Sequence, residues 1–187
     1  NNFNTKKVTN MSKMFEGCEH IRTLDLKKFD TSSVVDMSHM FEDCKKIENV
    51  LVSSFNTEKV NDMSFMFASN ERLGEIDLSN FKTNNLKNLS NMFQNCKNLS
   101  SINLKNLNTS LVNNMNYMFD GCESLTDLDL SNFNTEKLNE WLFTFNRCVS
   151  LTSLNLSNFN TKSCIKFDKV FNGVNDNLEV YINRDNN

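Results

Sequence analysis

Apolar side chains recur along this chain in two rhythms. One reads Leu-x-x-Leu-x-Leu, as in Ile21, Leu24 and Leu26, in Leu125, Leu128 and Leu130, and in Leu151, Leu154 and Leu156. Its last three positions alternate in, out, in, which is the period of a β-strand. The other reads Val-x-x-Met-x-x-Met-Phe, as in Val8, Met11, Met14 and Phe15. Spacings of three, three and one keep the apolar residues on one face of a helix. Thr5, three residues ahead of Val8, is placed as the helix N-cap. The slot after the helix holds Gly17, Asp43, Ser69, Asn95, Gly121, Arg147 and Gly173. Small or polar residues there suit a left-handed cap or a tight turn.

Both rhythms return every 26 residues, with Phe15, Phe41, Phe67, Phe93, Phe119, Phe145 and Phe171 in one column. A second column runs Phe3, Phe29, Phe55, Phe81, Leu107, Phe133, Phe159, and a third holds threonine from Thr5 to Thr161 without exception. Thirteen of the 16 phenylalanines fall in the two Phe columns, so these rings are read first as core. No unit can bury its stripe alone, so successive units must stack and share one core. The pattern predicts an α/β solenoid, leucine-rich-repeat-like, of about seven 26-residue strand–turn–helix coils with a parallel sheet on one face. Trp141 and Thr144 depart from columns otherwise held mostly by methionine, so the sixth coil should pack differently, with Trp141 as a core filler.

Composition narrows the reading. Residues 1–187 form a single repeat domain without proline and with only four glycines, so no linker is visible. The chain opens within a repeat, as a fragment of a longer protein would. Residues 172–187 read as a degenerate C-terminal capping repeat, with Val174 in the cysteine slot and Asn177 in a leucine slot. A net charge of -3 lacks the basic footprint of a nucleic-acid binder. No stretch has the roughly 18 apolar residues of a membrane span. Cys18, Cys44, Cys96, Cys122 and Cys148 share one repeat column, and Cys164 takes a valine slot. That spacing favours buried free thiols over disulfides or zinc. Asn70 in the cysteine column suggests that residues there hydrogen-bond a neighbouring coil's backbone. His20 and His39 look like unrelated surface residues.

The phrase Met-Phe-x-x-Cys-x-x-Leu-x-x-Leu-x-Leu-x-x-Phe-x-Thr resembles the 26-residue surface-protein repeat of mycoplasma and Gram-positive lipoproteins. It is also similar to the leucine-rich repeats of BspA-like surface antigens. The resemblance covers essentially the whole chain. It implies a cell-surface or secreted protein, often lipid-anchored, engaged in adhesion or host interaction.

No nucleophile, base and oxyanion set converges, so the expectation is a non-enzyme without cofactor. What remains is the outward face of the strands. Its central column includes Asp25, Asp77, Asn103, Asp129, Asn155 and Tyr181. The column before it carries Glu75 and Asp127. These eight are the ligand-binding candidates, for a protein or a glycan. The alternative is a solvated face on a structural spacer or variable antigenic coat. Asp127 and Asp129 could attract calcium, but no complete ligand loop is present. No nucleic-acid partner is expected, and membrane contact only through an anchor elsewhere. Exposed strands at either end allow end-to-end self-association.

Overall fold

A computed structural model describes residues 3–183. The chain winds as a parallel β-solenoid, and among the described residues there is no helix. The strands are three residues each: β1 (Thr23–Asp25), β2 (Asn49–Leu51), β3 (Glu75–Asp77), β4 (Ser101–Asn103), β5 (Asp127–Asp129), β6 (Glu140–Leu142), β7 (Ser153–Asn155), β8 (Lys166–Asp168) and β9 (Glu179–Tyr181). Pairing is parallel and always one repeat apart, as in Thr23↔Asn49, Glu75↔Ser101 and Asp127↔Ser153. The Leu-x-x-Leu-x-Leu segments thus form one strand face, built as β1-β2, β3-β4 and β5-β7-β9. The final unit, read as degenerate, still adds β9 in register with β7. Residues 184–187 of that expected cap lie outside the described residues.

The helix expectation is overturned by where the backbone hydrogen bonds go. In a helix, Met11, Lys13, Phe15 and Gly17 would donate four residues back. Instead they donate to Asp36, Ser38, Met40 and Glu42 of the next unit, at 3.0, 3.0, 2.9 and 2.8 Å. Between these rungs the chain closes turns, with Val8, Met14, Glu16 and Cys18 donating three residues back. Two residues per unit have left-handed backbone. One is the column expected to do so, from Gly17 (φ 67°) to Gly173 (φ 69°). The other runs from Lys13 (φ 61°) through His39 and Phe65 to Lys169. These reversals let alternate N–H groups point along the solenoid axis. A second ladder results, with bridges at Asn10↔Asp36↔Asp62↔Asn88↔Asn114 and the β6–β8 pair.

The threonine column is not a set of N-caps. Thr5 Oγ1 donates to Asp30 O at 3.0 Å and accepts from Asp30 N at 2.8 Å. Thr31, Thr57, Thr83, Thr109 and Thr135 repeat this double rung to the next unit. All six are buried. A hydroxyl that both donates and accepts is needed at that place, which no apolar side chain can supply.

The core is a set of side-chain columns along the axis. Rings from Phe15 to Phe171 stack with centroids between 5.4 and 5.9 Å apart. All six cysteines are free. Cys44, Cys96, Cys122 and Cys148 each donate Sγ–H to the carbonyl of Phe15, Phe67, Phe93 and Phe119, at 3.0 to 3.2 Å. Asn70 stands in the same column, fully buried, and neither amide atom finds a partner. Trp141 is 6% exposed and packs on Phe145, Phe159, Phe167 and Phe171, as a core filler does.

Candidate functional site on the strand face

Five strands of this face, β1, β3, β4, β5 and β7, end where an Asx side chain takes over from the ladder. Asp25 Oδ1 accepts from Lys27 N at 3.0 Å, Asp77 from Ser79 N at 2.9 Å, and Asp129 from Ser131 N at 2.9 Å. Asn103 and Asn155 do the same for Lys105 and Ser157. Five of the candidate residues therefore have a structural role, because one oxygen of each closes the turn that carries the chain off the strand face. The Ser79 backbone N–H and then its hydroxyl hold the Asp77 carboxyl below its ordinary pKa, so it stays ionised. Leu51 occupies this column in the second unit and cannot close such a turn. Its side chain is 38% exposed, an apolar spot on a polar ribbon.

The sheet is interrupted beside Leu51, where β2 and β3 are not joined in one ladder. An open hollow of about 400 Å³ lies there, lined by Leu51, Ser53, Glu75, Asp77 and Asn103 with neighbouring backbone. A second hollow, of about 380 Å³, gathers Asp127, Asp129, Ser153, Asn155 and Tyr181. Asn103 and Asp129 also meet at a third, beside Lys105 and Ser131. Seven of the eight candidates thus converge on open hollows. Asp25 stands outside these three hollows, with Lys27 Nζ 3.7 Å away. Tyr181 donates its hydroxyl to Glu179 at 2.9 Å. Among the described residues no group of three acidic, histidine or cysteine side chains is placed to hold a metal ion.

The carboxylates alternate along the stack, in the order of the repeat columns. Along the strand face the first, third, fifth and seventh units carry them: Asp25, then Glu75 and Asp77, then Asp127 and Asp129, then Glu179. The units between present Asn49 and Leu51, Ser101 and Asn103, and Ser153 and Asn155. Carboxylates therefore recur on every second strand. Like charges directly opposite on paired strands destabilise a sheet, and this spacing avoids that.

A second surface feature escaped the sequence reading. His39 stacks on Phe65 at 4.6 Å and Tyr117 on Phe143 at 4.7 Å, with Lys169 Nζ 5.5 Å from the Phe143 ring. All sit in one left-handed column. His39, taken as an isolated surface residue, also contacts the Glu42 carboxylate through Nδ1. The available signal was that Phe65 and Phe143 fall outside both Phe columns and share a third. Each ring gives one face to its partner, and the other face of Phe143 meets Lys169.

Residues 1–100 and 68–182 match the family described as Mycoplasma protein of unknown function, DUF285. The chain belongs to this family. The two matches overlap, as a repeat allows when its register can slide by whole units. No curated protein matches the chain. DUF285 membership agrees with the mycoplasmal repeat resemblance, and here the repeat is a helix-free β-solenoid rather than a leucine-rich-repeat coil.

Proposed function

We propose that this DUF285 chain is a non-catalytic repeat scaffold, displayed at the cell surface or secreted, whose strand face binds a host or environmental macromolecule. The observation that carries the reading is the convergence of Glu75, Asp77, Asn103, Asp127, Asp129, Asn155 and Tyr181 on open hollows of one face. A regular solenoid offers its partner a long surface rather than a single deep pocket. Attachment to the membrane, in this reading, belongs to an anchor elsewhere in the protein.

The competing reading is a structural spacer or antigenic coat. The Asx turns favour it, because they give Asp25, Asp77, Asn103, Asp129 and Asn155 a reason to be present without any ligand. Binding to an array of extracellular-matrix proteins, plasma proteins and neutral glycans separates the two. The scaffold reading expects a saturable signal that weakens in Asp77→Asn/Asp129→Asn, which keeps the turn acceptors and removes charge. Signal absent across the array, or indifferent to the substitutions, supports the spacer.

A further inference from the structure

The two ends of the described stack differ in kind. Each of the first six units donates three backbone N–H groups to the unit after it, at 2.7 to 3.0 Å. These rungs begin with Lys13, Phe15 and Gly17, which meet Ser38, Met40 and Glu42, and end with Phe143, Phe145 and Arg147, which meet Asp168, Val170 and Asn172. They all point one way. The strand face is interrupted between β2 and β3 and between β4 and β5, whereas these rungs run through every unit. Among the described residues, the N–H groups of Lys169, Phe171 and Gly173 therefore meet no acceptor, and the carbonyls of Ser12, Met14 and Glu16 meet no donor. The side chains are left in the same condition. Phe171 stacks on Phe145 with one face and is 39% exposed, with Phe167 and Val180 at 52% and 39%. At the other end Met14 is 45% exposed, where Met40 of the next unit is fully buried. Cys44, Cys96, Cys122 and Cys148 each donate to the Phe carbonyl one unit back, but the half-buried Cys18 makes no such bond.

We infer that the seventh unit takes the first unit of a second copy as its next coil, in a head-to-tail stack that continues the internal 26-residue step. Lys169, Phe171 and Gly173 donate to the Ser12, Met14 and Glu16 carbonyls of the second copy. Phe15 of that copy lies on Phe171 as each ring lies on the next within the chain, Leu24 covers Val180, and the Cys18 thiol reaches the Phe171 carbonyl. The occupant follows from complementarity. The first unit offers acceptors where the seventh offers donors, whereas two seventh units would set donor against donor. Lys13 and Lys169 share a column and repel, an effect reduced by Glu16, which lies 3.3 Å from the Lys13 ammonium. A heterologous contact that repeats one step does not close on itself, so the association is open-ended. The outward residues of the strand face take no part in it.

Sedimentation velocity of the 187-residue chain should show mass rising with concentration over roughly 1 to 100 μM. Val180→Asp blocks the seventh-unit end and Met14→Asp the first-unit end. Each variant alone should associate about a hundredfold more weakly, because the contact would bury a carboxylate without a partner. Mixed in equal amounts, the two should form a dimer and nothing larger, since Val180→Asp keeps an intact first unit and Met14→Asp an intact seventh. Urea midpoints check that both remain folded. A second measurement needs no end variant. Cys164→Val, which installs the residue that Val8, Val34, Val60 and Val112 carry in that column, leaves Cys18 as the one partly exposed thiol. Its alkylation by a maleimide should slow as the mass rises. A chain that stays monomeric at every concentration overturns the inference, as does association in which Cys18 keeps the monomer's rate. End variants that associate as the parent does place the contact elsewhere and overturn it. A mixture of folded variants that stays monomeric overturns the head-to-tail order.

Discussion

The first five repeat units and the last two build the second ladder in different ways. In the first five, neighbouring units meet there at a single residue: Asn10, Asp36, Asp62, Asn88 or Asn114. In the sixth and seventh the contact extends over three residues, as β6 and β8. The cause is one side chain. Asn10, Asp36, Asp62, Asn88 and Asn114 each accept the N–H two residues on, at 2.7 to 3.1 Å, and so bend the chain out of the strand. Glu140 and Lys166 stand at the same place and are too long or of the wrong polarity for an Asx turn. The Leu142 N–H goes to Asn116 Oδ1 at 3.0 Å instead, and the backbone stays extended. The core changes with it. Methionine or leucine fills both columns in the first five units, whereas the last two pair large with small, Trp141 with Thr144 and Phe167 with Val170. One period therefore accommodates two local structures, chosen by whether a short polar side chain is available to stop a strand.

The largest test asks whether the two regions lose stability together. Cys96 and Cys122 lie in the first region and Cys148 in the second. Burial pushes Cys96 and Cys148 up from 9.0 to about 12, and Cys122 also well upward. Below pH 9 folded and unfolded chains both hold these protons, and stability does not depend on the thiols. Above it the unfolded chain releases protons that the folded chain keeps, so stability falls as pH rises toward 12. The loss should be about 1 kcal/mol per thiol per pH unit, on the order of several kcal/mol by pH 10.5. Urea melts from pH 8 to 10.5 measure it. A single transition at every pH means that both regions unfold as one, and two transitions would divide them. Cys96→Val should flatten the slope. Asn70→Cys should steepen it while raising stability at pH 7 by about 1–3 kcal/mol, because it removes an unsatisfied buried amide.

The second test exchanges the two cores. Trp141→Met leaves unfilled space, since Thr144 is too small to occupy what the indole vacates, and should cost about 2–4 kcal/mol. Thr144→Met alone overfills the sixth unit and should cost about 1–3 kcal/mol. The double variant recreates the Met–Met arrangement of the other region and should recover most of both losses. A coupling near zero in this cycle would mean that the two columns do not trade volume across the core.

The first rhythm was legible because strand alternation has no close imitator over three residues. Leu24, Asp25 and Leu26 point as the pattern requires, and the left-handed column at Gly17 was placed correctly. The second rhythm misled for a geometric reason. A coil whose turns close at Val34 and Met40, three residues back each, sends Val34, Met37 and Met40 inward at a spacing of three. An α-helix with 3.6 residues per turn gives nearly the same spacing. Composition held the discriminating signal: Ala68 is the only alanine, and asparagine and serine, which favour turns over helix interiors, crowd these segments. The eight strand-face candidates could be named from alternation alone. The gathering of seven of them into open hollows could not, because breaks in the ladder such as that between β2 and β3 are tertiary events. The alternate-strand recurrence of carboxylates, by contrast, was present in the 26-residue columns, because the units stack in chain order.

The finest test isolates the side chain that separates the two regions. Asn88 Oδ1 accepts from the Ser90 N–H at 3.1 Å and the Ser90 hydroxyl at 2.8 Å, and its Nδ2 reaches Asp62 at 3.1 Å. Ser90 is buried, so Asn88→Ala leaves its polar groups short of partners. The expected cost is about 1–2 kcal/mol. Glu140 occupies the same column one region later but closes no turn. Glu140→Ala should therefore stay within about 0.5 kcal/mol of the parent. Urea denaturation supplies both values, and amide exchange at Ser90 locates the first. Faster exchange there in Asn88→Ala, with the rest of its unit unchanged, would place the loss in the turn. Equal costs at the two positions would mean that backbone pairing, rather than the Asx side chain, decides where the second ladder stops.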